Sequence, residues 1–336
     1  MKIGIKAIEY VLPEAVLTNE MLAELYGDWT AEKIFNKTGI ASRHICREDE
    51  TALDLAERAA KKLFATGVVA PGDIDYLLLA TETPDYQIPP NACILQNRLG
   101  IPRTAGALDF TLACSAYVYG LMLAKGLIAG GIAKHVLLIT AETYSKHIHP
   151  MDKSTRTIFG DGAAATLVCA GEDVHAIGAF AMGTDGAGYN GLWIPAGGAR
   201  QQRTADTAKV YTEENGTQRT QENLFMDGPE VFNFTIRVAG PSVKAVLKKE
   251  NLQMEEIDLF VFHQANTFIL EFLRKKIKIP KEKYFVDMAD IGNTVSSTLP
   301  IALKRAQEQG RVQQGQRALL LAFGVGWSWG ANIITW

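Results

Sequence analysis

Two patterns of apolar spacing alternate along the chain. Short, continuous apolar runs such as Tyr76–Ala80, His135–Ile139 and Ala318–Ala322 are the signature of strands covered on both faces. Between them lie stretches with apolar residues at helical spacing, among them Leu53–Phe64 and Val238–Leu247, which predict amphipathic helices. Tyr117–Ile128 is of helix length and nearly free of charge, which predicts a helix buried on all sides. Helices alternating with doubly covered strands predict an α/β fold built in layers. The stretch 183–223, rich in Gly, Gln, Thr and Arg, breaks the pattern and predicts an inserted surface loop or flap.

The pattern repeats once. Asp73-Ile74-Asp75-Tyr76-Leu77-Leu78-Leu79 matches Glu256-Ile257-Asp258-Leu259-Phe260-Val261-Phe262, and His135-Val136-Leu137-Leu138-Ile139 matches Ala318-Leu319-Leu320-Leu321-Ala322, both 183 positions apart. At that offset Cys114 falls on Ser297, which also precedes a helical run, Leu299–Gln309. A repeat this long predicts two duplicated halves rather than a solenoid. They are placed at 1–175 and 176–336, the first carrying the candidate nucleophile.

A chain of 336 residues, 47% hydrophobic and 21% charged, can bury a large core. Its net charge of −3 gives no reason to expect nucleic-acid binding. The four cysteines, Cys46, Cys93, Cys114 and Cys169, show neither metal-ligand nor disulfide spacing, so a reducing compartment is expected. With no leader and no apolar run long enough for a bilayer, the expectation is a cytoplasmic protein that does not engage membranes.

Candidate chemistry begins at Cys114, where the strand-like Ala107–Phe110 gives way to the long apolar helix. A cysteine at a helix N-terminus faces unpaired N–H groups and the positive end of the dipole, which favours thiolate near neutral pH. The default for a lone cysteine is a small buried apolar residue. His263 ends the apolar strand Val261-Phe262 and is followed by Gln264-Ala265-Asn266. Strand ends of α/β folds line ligand crevices, although a lone histidine is by default structural. Gly292-Asn293-Thr294 is an ordinary turn by composition, but the duplication sets it opposite the Cys114 turn. Phe323-Gly324-Val325-Gly326-Trp327 follows a strand without opening a helix. That excludes a dinucleotide loop and leaves a backbone wall with free N–H groups.

Taken together, Cys114, His263 and Asn293 resemble the catalytic triad of the β-ketoacyl-acyl-carrier-protein synthase III family, in the thiolase superfamily. The resemblance covers nearly the whole chain. It extends to Lys37-Thr38-Gly39-Ile40, Phe159-Gly160-Asp161-Gly162-Ala163, His263-Gln264-Ala265-Asn266, Gly292-Asn293-Thr294 and Phe323–Gly330. It implies the five-layer αβαβα thiolase fold, a homodimer, and an acyltransferase that uses acyl-CoA or acyl-carrier thioesters as substrates and requires no cofactor and no metal. By resemblance, Cys114 takes an acyl group as a thioester. His263 and Asn293 hold a malonyl thioester from the carrier protein while carbon dioxide leaves, stabilising the enolate. The enolate carbon then attacks the acyl group, whose oxyanion the Cys114 and Val325 amides receive.

Lys37, Thr38, Lys153, Phe159 and Asn266 fall at substrate-binding positions of the family. Lys33 stands where the family often has an adenine-stacking Trp, and Lys37 and Lys153 where it has arginines, which loses the planar fork suited to phosphate. Thr267-Phe268 replaces the usual Leu-Arg implicated in carrier docking, leaving Arg274, Lys275 and Lys276 nearby. For that basic run the ordinary reading is a solvated helix face. Ile88 aligns with a residue that closes the acyl tunnel across the dimer and is Phe in some members, so a longer or branched acyl chain is expected. Glu82 lies near the position of a catalytic glutamate in related hydroxymethylglutaryl-CoA synthases. It is a possible base, with a structural strand-end carboxylate favoured. Two alternatives stay open: an acyltransferase on the same fold forming an ester, amide or head-to-head product without decarboxylation, and a non-catalytic partner subunit.

Overall fold

A computed structural model describes residues 2–336. Its main strands are β1 (Lys2–Val11), β2 (Tyr76–Ala80), β3 (Gly106–Phe110), β4 (His135–Glu142), β5 (Gly162–Gly171), β6 (His175–Thr184), β7 (Leu259–Phe262), β8 (Tyr284–Phe285), β9 (Arg317–Gly324) and β10 (Ser328–Thr335). They run β3-β2-β4-β5-β1 and, continuing from β1, β6-β10-β9-β7-β8. Each half therefore has the same strand order, with every strand of the second five places later in the chain. In both halves the second strand pairs parallel with its two neighbours, and the remaining pairs are antiparallel. A short antiparallel contact, Gly4 with Ala176 and Ile5 with His175, joins the two sets.

Helices α1 (Asn19–Tyr26) and α2 (Ala31–Thr38) bury Leu22, Tyr26 and Ile34 in a small cluster of their own. The others are α3 (Ala52–Ala65), α4 (Asn91–Arg98), α5 (Ala116–Ala129), α6 (Gly228–Glu250), α7 (Thr267–Ile277) and α8 (Thr298–Glu308). The period-two alternation of the strands distributes them into layers. Along β4, Leu137 and Ile139 join α3 and α4 in one cluster, whereas Val136 and Leu138 join α5 and α8 in another. Along β9, Leu320 faces α5 and α8, while Leu319 and Leu321 face α6 and α7. The order is helices, sheet, α5 with α8, sheet, helices.

Being enclosed by both sheets explains why α5 has almost no charge. Tyr117, Val118, Leu121 and Ala124 are fully buried, each of the larger ones contributing about 1.5–3 kcal/mol by burial. Lys125, the one ionic side chain of α5, gives its ammonium to the Ile177 and Gly178 carbonyls at 2.6 and 3.0 Å.

The duplication is sharper in backbone conformation than in sequence. Each central helix is entered through a short 3-10 turn that begins on a non-glycine residue with positive φ, Ala113 at 43° and Val295 at 55°. The conformational equivalent of Cys114 is therefore Ser296, one residue before the Ser297 expected from the sequence offset. Chain between the aligned strands and these turns differs in length by one residue, which a strand-based offset does not register.

The 183–223 stretch is not a free flap. Tyr211–Thr212 pairs with Gln218–Arg219, and Leu192–Trp193 with Phe225–Met226. Arg219 is inserted into the body with its guanidinium 3.3 Å from Asp152, both side chains almost fully buried. No helix among the described residues is long and apolar enough to cross a membrane.

Candidate active site

Cys114, His263 and Asn293 come from three separate elements and line one small cavity of about 60 Å³. Phe159, Asn266, Phe323, Gly324 and Trp327 share its wall. Cys114 lies in the turn that opens α5, where the first amides have no intrahelical partner. The strained Ala113 is held by Glu82, whose Oε1 accepts the Ala113 N–H at 2.9 Å. Glu142 in turn accepts the Glu82 N–H at 3.0 Å and the Thr83 and Ser296 hydroxyls at 3.2 and 3.0 Å. This carboxyl ties the Cys114 turn to its counterpart at Ser296.

The thiol is not the low-pKa group that its helix position predicted. Burial raises it well above the usual cysteine value, and the Glu142 and Glu82 carboxyls add to the rise. Desolvation of the charged form outweighs the single N-terminal turn of dipole. The resting form in the empty cavity is the thiol.

His263 is 4% exposed, and burial pushes its imidazole down to about 3, so the ring is neutral at physiological pH. Its Nδ1 lies 2.7 Å from the Thr298 hydroxyl, which is also 3.0 Å from the Val295 carbonyl. A hydroxyl has one proton. Turned toward Nδ1, it leaves the ring proton on Nε2, a donor; turned toward Val295, it accepts from Nδ1–H and leaves Nε2 an acceptor.

Asn293 is fixed with less freedom. Its N–H donates to the Ile158 carbonyl at 2.9 Å and its carbonyl accepts from Gly160 at 3.0 Å. Its side-chain Oδ1 accepts the Val295 N–H at 2.9 Å, so the NH₂ group is the end left to donate into the cavity. The Phe159-Gly160-Asp161-Gly162 segment is thus the clamp on Asn293. Gly292, at φ 71°, completes it: a Cβ there would lie 2.9 Å from the Ile158 carbonyl oxygen.

The C-terminal segment does form a backbone wall. The Val325 N–H has no backbone hydrogen-bond partner among the described residues. A Cβ on Gly324 would come 2.4 Å from the Leu112 carbonyl oxygen and 2.7 Å from the Ser115 hydroxyl, so only glycine lets this wall approach the Cys114 turn. Ser115 and Ser328 pin the two together, hydroxyl to hydroxyl, at 2.7 Å.

The two ACP_syn_III family models, "3-Oxoacyl-[acyl-carrier-protein (ACP)] synthase III" and its C-terminal counterpart, match residues 108–186 and 247–336. A β-ketoacyl-[acyl-carrier-protein] synthase III from Caldanaerobacter subterraneus is 36% identical over 333 residues, which is 99% of this chain and 97% of that protein. The chain belongs to the β-ketoacyl-acyl-carrier-protein synthase III family. Among solved structures, a 3-oxoacyl-(acyl-carrier-protein) synthase III is 50% identical, with a TM-score of 0.97 and full coverage of both chains. The priming β-ketosynthase of the R1128 polyketide pathway is 29% identical, with a TM-score of 0.86, covering 99% of this chain and 96% of that one. The fold is therefore the thiolase fold, and the protein is a condensing acyltransferase of the synthase III type.

Not every residue expected at the substrate lies at this synthase III cavity. Thr38 is buried, its hydroxyl donating to the Ile34 carbonyl at 2.9 Å and accepting from Ile40 N–H at 3.1 Å. Lys153 is only 6% exposed and gives its ammonium to both Asp28 oxygens at 2.7 and 2.8 Å. Lys37 extends over the Trp29 ring, 4.6 Å from its centroid. Asn266 caps α7 through the Ile269 N–H at 2.9 Å while still lining the cavity. Ile88 is 85% exposed. Thr298, Glu142 and Tyr144 escaped the sequence reading. Thr298 alone had a usable signal, one helical turn after the Asn293-Thr294 turn.

Proposed function

We propose that Cys114 is the acyl-carrying nucleophile, and that His263 and Asn293 are the paired donors that stabilise the enolate of a malonyl thioester. The observation that carries this reading is their shared cavity, in which each has a fixed and distinct capacity: a thiol, a neutral ring, and an amide whose oxygen is already occupied. In the loading step the donor thioester carbonyl sits against the Cys114 and Val325 amides. The sulfur attacks, the donor thiol leaves, and the Cys114 proton ends on that thiol. Neutral His263 is the group suited to carry it, in the tautomer with Nδ1–H donating to Thr298. Once the donor thiol has left, the ring proton exchanges from Nδ1 to Nε2 through solvent, and in the condensing step the Thr298 hydroxyl turns to Nδ1. Nε2–H and the Asn293 NH₂ then receive the malonyl thioester oxygen as the carboxylate leaves as carbon dioxide. The enolate carbon forms the new bond at the acyl carbonyl, the carbon–sulfur bond breaks, and the Cys114 thiolate takes a proton from solvent to return to the thiol. The negative charge is generated by decarboxylation, so the steps require no strong base, and Glu82 acts by holding Ala113.

Acyl-CoA as donor is supported by Trp29, which stands between Lys33 and Lys37 at 4.8 and 4.6 Å. This aromatic face with two ammonium groups replaces the stacking and charge lost at the family positions. A carrier protein as bearer of the malonyl group is supported by a groove of about 1000 Å³ between α6 and α7. Lys244, Lys248, Lys276 and Lys278 line it, none of them in an ion pair among the described residues. Arg274, by contrast, is engaged by Glu271 at 3.0 Å. A homodimer completed by Ile88 is part of the same reading.

Intact-protein mass spectrometry with a panel of acyl-CoAs and a Cys114→Ala control tests the first step. The expected result is an acyl mass gain lost in the variant, followed by carbon dioxide release with a malonyl-carrier. Loading without carbon dioxide release would instead favour transfer to another acceptor, and no loading by any donor would favour a partner subunit.

A further inference from the structure

A second chamber of about 360 Å³ lies against the Cys114 turn, walled by Glu82, Thr83, Tyr144, His147, Leu192, Trp193, Val325 and Gly326 among others. Leu192 is common to it and the reaction cavity, and the Tyr144 ring packs on Phe159 with centroids 5.3 Å apart. Glu82 reaches from its wall to Ala113, and Val325 and Gly326 bring the backbone wall to its edge. Given Cys114 as the acyl carrier, this is the space into which an acyl group on its sulfur extends.

The lining is mixed, with Leu192, Ile194 and Leu224 supplying apolar wall beside polar side chains. Three polar groups face it with unused hydrogen-bonding capacity. Glu82 spends one oxygen on Ala113, and its second has no partner among the described residues. The Tyr144 hydroxyl has none either, although the side chain is 95% buried (5% exposed). The His147 ring likewise makes no hydrogen bond, only its carbonyl being used by Leu224 and Asn223. Thr83, in contrast, is fully engaged with Glu142, Thr81 and the Thr143 amide. A ligand that fills the chamber shuts these groups off from solvent, and one that cannot answer them leaves polar groups buried without partners, at a cost.

We propose that the acyl group this enzyme loads bears a neutral hydrogen-bonding substituent, a hydroxyl, received by Glu82, Tyr144 and His147, rather than a plain alkyl chain. A hydroxyl both donates and accepts, matching a tyrosine hydroxyl, a carboxyl and a neutral imidazole. Burial raises the Glu82 carboxyl above its ordinary range, and burial, with Arg203 and Lys146 nearby, lowers His147. The His147 ring is therefore neutral at pH 7, and the Glu82 carboxyl is less acidic than usual. The neighbouring cations are also committed, Lys146 to the Arg47 and Glu48 carbonyls at 2.9 and 2.8 Å and Arg203 to Glu222 at 3.6 Å. A charged substituent would find no counter-ion.

The inference rests on Cys114 loading, and one experiment separates the two. Alkanoyl-CoAs and hydroxyalkanoyl-CoAs of equal carbon number, with the hydroxyl at several positions, are compared by rate of Cys114 acylation in intact-protein mass spectrometry. The expected result is a preference of about tenfold or more for at least one hydroxyacyl donor over its alkanoyl partner. Tyr144→Phe should shrink that ratio several-fold, with hydroxyacyl loading falling and alkanoyl loading rising. Cys114 loading equally or better with alkanoyl donors overturns the inference while the reading of Cys114 stands. Loading by none overturns both. An equal loss with both donors in Tyr144→Phe would assign that residue to packing and overturn its part in recognition.

Discussion

Thr298→Val isolates what the hydroxyl beside His263 does. Valine has nearly the shape of threonine, so the substitution opens no cavity in a residue that is 1% exposed. The Val295 carbonyl keeps the Thr298 backbone N–H as donor, and only His263 Nδ1 loses its partner at 2.7 Å. One orphaned buried nitrogen costs about 1–3 kcal/mol of stability, a fall of only a few degrees in Tm for a protein of this size. For catalysis, the relevant quantity is the hydrogen bond that the hydroxyl gives Nδ1 in the Nε2–H tautomer, the form that condensation uses. Its net worth of about 0.5–1.5 kcal/mol corresponds to roughly 2- to 10-fold. Carbon dioxide release from the malonyl thioester should fall by that factor, and Thr298→Ser should restore it to within about twofold. The assay is carbon dioxide release by pre-acylated enzyme, with Tm measured alongside. A folded Thr298→Val protein that releases carbon dioxide at the wild-type rate would refute the argument, because the proton on Nε2 would then owe nothing to Thr298.

Asn293→Asp keeps the oxygen that accepts Val295 N–H but replaces the donor with an acceptor. Carbon dioxide release should fall by about 10²–10³-fold, while Cys114 acylation, followed by mass, stays within about threefold. Because burial and the two glutamates raise the Cys114 thiol, iodoacetamide inactivation of the empty enzyme should keep accelerating as pH rises beyond 8. A rate already level by pH 7 would show that the helix dipole prevails after all. Arg219→Met strands the buried Asp152 carboxylate and should cost about 3–5 kcal/mol in denaturant titration, whereas Arg274→Met, which breaks a partly exposed pair, should cost no more than about 1 kcal/mol. Ile88→Phe should shift the acyl-chain profile toward shorter, unbranched donors; an unchanged profile would remove Ile88 from the acyl site.

Much of the architecture was legible in the chain because it follows from local spacing. The continuous apolar runs at Tyr76–Ala80 and Ala318–Ala322 had to be strands covered on both faces, and the uncharged 117–128 helix had to lie between layers. Two matched segments 183 residues apart announced the duplication. The ordered motifs named the family that the relatives then showed. What misled was the one-dimensional treatment of environment. Lys153 and Thr38 matched motif positions, yet an acidic side chain 125 residues away, Asp28, takes the first, and the turn after α2 takes the second.

The sequence by itself determined the duplication, the alternation of helices with doubly covered strands and the three side chains proposed for the chemistry, since periodicity, turn residues and side-chain type are properties of short stretches. The tertiary structure decided their chemical state. It set the Cys114 thiol high, held His263 neutral, turned the Asn293 amide with its nitrogen toward the cavity, and left three polar groups unanswered in the adjoining chamber. Desolvation and hydrogen-bond geometry depend on which distant segments close around a group, and no local pattern encodes that.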